Sequence, residues 1–263
     1  MNENLLKQAL SRSHAQMGAW INMVHNPGIL PLMKSAGLDF ARLDMEHTGV
    51  SIETVATLAL VARSINFPLA VRPPVANREW ITRLLDIGVW NLHCPQVESA
   101  AHAREIVQAS RFSPLGLRGH GYPGPATDFD IGGSVAERRT FANAQVFVTV
   151  MFETAAAFED LEEIAALEGI DALTIGPADL AQDLGVFGQP SQNTVLAEKQ
   201  ELILAAAKRH GKVGAVLCAT PGEAGLWRDK GALLLACSSD AMILQQGFSR
   251  IADEFGRVQP SQE

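Results

Sequence analysis

The chain has 263 residues, of which 47% are apolar and 6% aromatic, and its formal net charge is −8. This length suits one α/β barrel of about 250 residues, and the acidic balance argues against nucleic acid, which binds basic surfaces. No apolar stretch is long enough to span a membrane, and residues 1–10 are too polar for a secretory signal. We therefore expect one domain over residues 1–263, located in the cytoplasm, with neither a membrane nor a nucleic acid as partner.

Short apolar runs rich in β-forming residues recur along the chain and predict eight buried strands. The runs are Met17–Met23, Phe40–Met45, Pro68–Val71, Val89–Cys94, Gln145–Phe152, Ala172–Ile175, Lys212–Cys218 and Leu233–Cys237. Strands that alternate with helices favour a parallel sheet, and eight strands are the number that closes a barrel. The predicted fold class is therefore α/β, a (β/α)8 TIM barrel.

Helical patterns lie between these runs, and several end near a glycine, which accepts the left-handed closing conformation at little cost. The predicted helices are Ser51–Ile65, Arg78–Leu85, Ser99–Ser110, Thr154–Leu167, Leu196–His210, Thr220–Lys230 and Asp240–Phe255. The segment Gly116–Asn143 begins rich in Gly and Pro and predicts a long loop, which in a compact domain is usually a lid or binding element.

The last predicted helix carries an apolar stripe at helical spacing. The stripe consists of Leu244, Phe248, Ile251 and Phe255, widened by Met242 and Ile243. It suits either packing against the barrel or contact with a second subunit.

The cysteines Cys94, Cys218 and Cys237 are isolated in apolar strand-like runs and form no CxxC pair. This pattern predicts buried thiols rather than a disulfide or a zinc site. Thiols of this kind are typical of a reducing compartment.

Acidic residues follow three of the strands, at Asp44 and Glu46, at Glu153, and at Asp179. The C-terminal edge of a parallel barrel is its functional edge. Glu153 and Asp179, with waters and a chelating substrate, would satisfy six-coordinate Mg²⁺ or Mn²⁺. The alternative is that Glu153 caps the next helix and Asp179 neutralises a helix N-terminus.

Two further rim features suggest ligand binding. Gly176 permits close approach of the backbone to a ligand. A helix that starts at Ala178 has free N–H groups that suit a substrate carboxylate. The alternative is a tight strand-to-helix turn that binds nothing. Arg72, at the end of the third strand, either stabilises an enolate or carboxylate oxygen or forms a salt bridge to Asp44 or Glu46.

His47 is the candidate base, since histidine exchanges a proton near neutral pH. Asp86 is one option for the carboxylate that orients it. The sequence offers no lysine suited to a Schiff base at the functional edge, which favours a metal over covalent enamine chemistry.

Six short motifs occur in a characteristic order: Asp44-x-Glu-His47, Val71-Arg-Pro-Pro74, Arg83-Leu-Leu-Asp-x-Gly88, Leu117-Arg-Gly119, Phe152-Glu-Thr154 and Gly176-Pro-Ala-Asp-Leu180. Together they resemble the HpcH/HpaI family of metal-dependent class II pyruvate aldolases, which act on 2-keto-3-deoxy sugar acids and 4-hydroxy-2-oxo acids. The resemblance runs from about Met17 to Phe255. It implies a homo-hexamer, a trimer of dimers, with the last helix exchanged between subunits.

The resemblance also implies an activity, namely forming or cleaving a 4-hydroxy-2-oxo acid from pyruvate, or a related 2-oxo acid, and an aldehyde. It implies that Glu153 and Asp179 hold Mg²⁺, Mn²⁺ or Co²⁺, which the donor chelates. The turn made of Gly176, Pro177, Ala178 and Asp179 holds the donor carboxylate. Arg72 faces the keto oxygen, and His47 with Asp86 acts on protons, with Asp44 and Glu46 in support.

The sequence departs from the family pattern in two ways, at Met151 and in the stretch after the fourth strand. Met151 stands where the family usually has Gln, so the polar support of the metal site must differ. His93 and Gln96 stand where members are mostly apolar, and the stretch His120–Pro125 follows no family pattern. We expect these positions to touch the acceptor pocket.

Two other functions remain open. One is a metal-enolate lyase or synthase that acts on an acyl-CoA and oxaloacetate, as in citrate-lyase β-like enzymes and aldolase-like citrate synthases. The other is a non-catalytic barrel that binds a 2-oxo acid. The non-catalytic barrel is disfavoured because every residue expected to take part in the chemistry is present, namely His47, Arg72, Asp86, Glu153 and Asp179.

Overall fold

Each of the eight predicted strands is present in the computed structural model, which describes residues 2–121 and 124–258. Within these residues eight parallel strands close into a barrel, each pairing with the next and the last pairing with the first. The strands are β1 (Gln16–Ile21), β2 (Phe40–Asp44), β3 (Leu69–Arg72), β4 (Asn91–Cys94), β5 (Phe147–Phe152), β6 (Ala172–Ile175), β7 (Val213–Cys218) and β8 (Leu234–Ser239). The predicted (β/α)8 TIM barrel is confirmed.

Eleven α-helices, counted over the same described ranges, surround the barrel. They are α1 (Leu5–Ser11), α2 (Ile29–Ser35), α3 (Ile52–Ser64), α4 (Arg78–Asp86), α5 (Ala100–Ser110), α6 (Val135–Gln145), α7 (Leu161–Ala166), α8 (Pro177–Asp183), α9 (Gln192–Arg209), α10 (Pro221–Asp229) and α11 (Asp240–Val258). Side-chain caps fix several starts: Ser51 accepts from the backbone N of Thr54 at 3.3 Å, and Asn77 from that of Trp80 at 3.0 Å.

The strands are buried on both faces because one face points into the barrel and the other packs under the helices. Phe40, Ala70, Phe147 and Leu234 meet in one cluster although they lie on four different strands. This places them inside the barrel. Because side chains alternate along a strand, Asp44 on β2 points to the same interior side as Phe40, at the C-terminal end.

Two predicted segments are wrong in detail. The second half of the predicted Gly116–Asn143 loop is helical, since α6 starts behind a capping box between Ser134 and Glu137. The predicted helix Thr154–Leu167 is instead a 3₁₀ turn over Ala156–Phe158 followed by the short α7. Residues 122 and 123 of the predicted loop lie outside the described residues.

Three smaller differences concern helices and thiols. The sequence did not predict α2, and α9 begins at Gln192 rather than at Leu196. All three cysteines are free, but Cys237 is only partly buried. Among the described residues, no helix is both long enough and apolar enough to cross a membrane.

Much of the apolar stripe of α11 faces away from the barrel of its own chain. Phe248, Ile251 and Phe255 are 66%, 62% and 63% exposed, and Met242 and Ile243 are also exposed. Of the two interpretations of this stripe, packing against the same barrel is therefore not what the structure shows for these residues.

Candidate functional site

A cavity of about 350 Å³ opens at the C-terminal ends of the strands. Most of the predicted site residues line it: Asp44, His47, Arg72, Met151, Glu153, Gly176, Pro177, Ala178 and Asp179. The barrel brings these residues together because parallel strands deliver their last residues to one rim.

The guanidinium of Arg72 is held by two carboxylates. Its Nε donates to Oδ1 of Asp44 at 2.9 Å and its Nη2 donates to Oδ2 at 2.7 Å, while Nη1 lies 3.1 Å from Oε2 of Glu46. Burial opposes ionisation of Asp44, but the hydrogen bonds and charge of Arg72 outweigh it and lower the pKa of Asp44. Arg72 thus forms the predicted salt bridges and also lines the cavity.

His47 lies next to Glu46. Its Nε2 is 3.4 Å from Oε2 of Glu46, and 55% of its side chain is exposed. Burial raises the pKa of Glu46, although Arg72 and His47 oppose the shift. No donor among the described residues makes an aligned hydrogen bond to Oε2 of Glu46. That oxygen lies within reach of Arg72 and His47 without being saturated.

Glu153 is 3% exposed at the end of β5. Burial, reinforced by the charges of Glu46 and Asp179, raises the pKa of Glu153 to about 7, although the N–H of Gln96 and the charge of Arg72 oppose it. A Cβ at position 176 would overlap Oε1 of Glu153, so glycine permits this approach. The group that approaches the backbone of Gly176 closely is therefore the side chain of Glu153, whereas the sequence had suggested a bound ligand.

The turn after β6 begins a helix one residue earlier than predicted, at Pro177. Pro177 has no N–H, and the N–H of Gly176 donates to the carbonyl of Phe152 at 3.2 Å. The first helical turn therefore leaves Ala178 and Asp179 as its backbone donors.

Two carboxylates of this rim suit a divalent cation. Glu153 and Asp179 line one cavity, and the charge of Asp179 contributes to the raised pKa of Glu153, which shows that they repel each other. A cation between them would relieve this repulsion, and hard oxygen ligands suit Mg²⁺ or Mn²⁺. In residues 2–121 and 124–258, no three His, Cys, Asp or Glu side chains form a metal cluster, so waters and substrate oxygens would complete the coordination.

The family model described as HpcH/HpaI aldolase/citrate lyase matches residues 16–246. The chain belongs to this HpcH/HpaI family. It is 34% identical to a 4-hydroxy-2-oxo-heptane-1,7-dioate aldolase of Shigella boydii, over 97% of this chain and 95% of that protein. It is 31% identical to a 5-keto-4-deoxy-D-glucarate aldolase of Klebsiella pneumoniae, over 96% of both chains.

A crystal structure of an HpcH/HpaI aldolase from Desulfitobacterium hafniense is also similar to this chain. It has a TM-score of 0.90 and 32% sequence identity, and the match covers 98% of both chains. The predicted HpcH/HpaI membership and the predicted carbon–carbon lyase of the aldolase type are confirmed.

The structure does not bring His47 and Asp86 together within one HpcH/HpaI chain. Asp86 is the last residue of α4, which runs from the C-terminal end of β3 back to the opposite end of the barrel. There its Oδ1 accepts a hydrogen bond from Nη2 of Arg118 at 2.9 Å. Within one chain the carboxylate beside His47 is Glu46, and a pair with Asp86 requires a second chain.

Two polar residues inside this HpcH/HpaI barrel lie beneath the cavity. Arg42, which the sequence did not single out, is 1% exposed, and its guanidinium lies 5.1 Å from the ring centre of Trp20. Burial, together with the charge of Arg72, lowers the pKa of Arg42 to about 9. His93 is 1% exposed and packs edge-on against Trp20, with ring centres 5.6 Å apart. It lies below the cavity rather than lining it, contrary to the expectation of contact with the acceptor pocket.

Gln96 lies at the rim just after β4. Its backbone N donates to Oε2 of Glu153 at 2.5 Å, and its Nε2 donates to Oε1 of Glu46 at 3.0 Å. The sequence signal for this residue was a polar side chain in an apolar run, which indicated a site position but not its partners.

Proposed function

We propose that this chain is a divalent-metal-dependent aldolase that forms or cleaves a 4-hydroxy-2-oxo acid. The donor is pyruvate or a related 2-oxo acid, and the acceptor is an aldehyde. The observation that carries the proposal is one cavity that combines the Arg72 guanidinium with the carboxylates of Glu153 and Asp179. The two relatives compared above support the reaction type, because both are named aldolases of oxo acids.

Glu153 and Asp179 are the residues that would hold Mg²⁺, Mn²⁺ or Co²⁺ in this proposal. When bound, the cation stabilises negative charge on the keto oxygen of the donor. The N–H groups of Ala178 and Asp179 bind the donor carboxylate, while Pro177 fixes the turn and Gly176 leaves room for Glu153.

Arg72 has the role of stabilising the enolate. Its two bonds to Asp44 fix the plane of the guanidinium, so that it donates to the keto oxygen where charge develops. His47, supported by Glu46, moves a proton through a water at the mouth of the cavity. Met151 lines the cavity as an apolar wall.

We extend the proposal to the assembly. A homo-hexamer with exchanged last helices would cover the exposed stripe of α11, and a second chain would bring its Asp86 towards His47. Residues 1–263 form one catalytic domain in this proposal. The three free thiols support a cytoplasmic location.

The test measures exchange of the pyruvate methyl protons with D₂O by NMR, beside retro-aldol release of pyruvate from a panel of 4-hydroxy-2-oxo acids. EDTA should stop both reactions and Mn²⁺ or Mg²⁺ should restore them. Glu153→Ala should abolish Mn²⁺ binding and lower exchange at least about 100-fold, as expected for loss of a catalytic metal. The exposed Glu159→Ala is the matched control. Full activity of Glu153→Ala without bound metal would refute the proposal.

The same assays address the two other functions. The family description also includes citrate lyase, so consumption of an acyl-CoA with oxaloacetate, without retro-aldol activity, would favour the thioester reaction. Pyruvate binding without methyl-proton exchange would favour a binding protein.

A further inference from the structure

We propose that Gln96 is a positioning residue that orients two site carboxylates at once, a role that rests on the proposed aldolase function. Its backbone N–H bonds to Glu153 at 2.5 Å, and its side-chain amide bonds to Glu46 at 3.0 Å. Glu153 belongs to the metal-binding half of the site, and Glu46 to the half that contains Arg72 and His47. One residue therefore connects both halves.

The backbone of Gln96 adopts the left-handed region, with φ +51°. This conformation is uncommon and costly for a residue other than glycine, and it persists where the surroundings enforce it. The next residue helps to do so, because the N–H of Val97 donates to the carbonyl of Met151 at 3.2 Å. The turn at Gln96 is thus tied to β5, two residues before Glu153, and its N–H and side chain reach the two acids.

Each carboxylate gives one oxygen to Gln96 and leaves the other beside a second part of the site. In Glu153, Oε2 accepts from Gln96, and Oε1 packs against Gly176 at the start of the turn that carries Asp179. In Glu46, Oε1 accepts from Gln96, and Oε2 lies 3.1 Å from Nη1 of Arg72 and 3.4 Å from Nε2 of His47. Gln96 thereby selects the oxygen that each acid presents to the chemistry.

Because the backbone of Gln96 binds Glu153 and its side chain binds Glu46, a change of the side chain should affect only Glu46. Gln96→Met keeps a side chain of similar length and keeps the N–H that holds Glu153, but it removes the amide that holds Glu46. Affinity for Mn²⁺ should therefore remain within about threefold of wild type, since Glu153 stays fixed. Glu46 becomes free to turn away from Arg72 and His47, so proton transfer should suffer.

The experiment compares wild type, Gln96→Met and the exposed control Gln108→Met on α5. It measures Mn²⁺ dissociation constants, thermal stability and exchange of pyruvate methyl protons. We expect exchange in Gln96→Met to fall at least about tenfold, the effect of losing one hydrogen bond to a charged group. Mn²⁺ affinity and stability should hold, and Gln108→Met should behave as wild type.

Two results would overturn the role of Gln96 and leave the aldolase function standing. One is wild-type exchange in Gln96→Met. The other is a parallel loss of Mn²⁺ affinity, stability and exchange, which would indicate a merely structural residue. Wild-type enzyme that binds no Mn²⁺ and exchanges no protons would overturn the proposed function, and the role of Gln96 with it.

Discussion

Individual residues of the site hold one another in place through hydrogen bonds and ion pairs. Asp44 fixes Arg72 through two hydrogen bonds, and Gln96 fixes Glu46 and Glu153. Two of the departures from the family pattern, Met151 and Gln96, lie close together, because the N–H of Val97 donates to the carbonyl of Met151 at 3.2 Å. The sequence marked both positions, but it could not show that they are neighbours.

The Arg72–Asp44 pair should matter for stability as well as for activity. The side chain of Asp44 is 1% exposed, so Arg72→Met leaves a buried carboxylate without its partner. We expect the free energy of unfolding to fall by about 3–5 kcal/mol and methyl-proton exchange to be lost. Asp44→Asn combined with Arg72→Met should recover much of the stability but not the exchange. Urea unfolding and NMR measure the two quantities.

The control for this prediction is Arg83→Met, since Arg83 forms an exposed pair with Glu79 on α4 at 3.9 Å. It should change the unfolding free energy by less than about 1 kcal/mol, as exposed ion pairs do. Equal losses in Arg72→Met and Arg83→Met would contradict the proposed importance of the buried pair.

Metal binding should depend on pH through Glu153. The pKa of Glu153 is raised from its ordinary 4.5 to about 7, so below pH 7 a cation must displace a proton. We expect Mn²⁺ affinity to fall by up to about tenfold per pH unit below 7 and to level off above it. Calorimetric titration between pH 5.5 and 8.5 measures this, and a flat profile would contradict it.

In metal-free protein, rising pH has the opposite effect on folding stability: it weakens the fold, whereas it strengthens metal binding. Because the folded-state pKa of Glu153 is raised, its contribution is fully present below pH 4.5 and is lost as pH rises through about 7. Glu153→Gln, which stays neutral, should show a smaller loss over that window.

Among the helices, local signals predicted several of those that begin at a side-chain cap. Ser51 and Asn77 start α3 and α4 close to the predicted positions. The start of α6 was missed because its capping box follows a Gly-rich stretch that dominates the composition. The pairing of His47 with Asp86 stays a prediction, and spacing along the sequence did not reveal that α4 carries Asp86 to the far end of its own barrel.

The apolar stripe of α11 should hold subunits together. Phe248→Asp and Ile251→Asp each replace an exposed apolar side chain with a charge, and burial of such a side chain contributes about 1.5–3 kcal/mol. We expect both variants to form smaller assemblies in analytical ultracentrifugation while circular dichroism stays unchanged. Gln246→Asp, on the face opposite Phe248 and Ile251, is the control. An unchanged mass in both variants would exclude this stripe from the interface.

The barrel as a whole could be predicted because eight strand patterns occur and helical patterns lie between most of them. The rim residues followed from it, since parallel strands end together. The burial of Arg42 and His93 inside the barrel could not be predicted from the sequence. Strands that are buried on both faces show no polar–apolar alternation that would distinguish the inner face from the outer one. A charge within the barrel was therefore visible only in three dimensions.

The position of Trp20 has an optical consequence. Its ring centre lies 5.1 Å from the guanidinium carbon of Arg42 and 4.8 Å from that of Arg72, and the ring borders the cavity. Indole fluorescence responds to nearby charge, so an anionic ligand that draws Arg72 towards itself would alter the emission of this tryptophan. The enzyme thus carries an intrinsic fluorophore at the floor of its cavity, through which binding can be followed without a label.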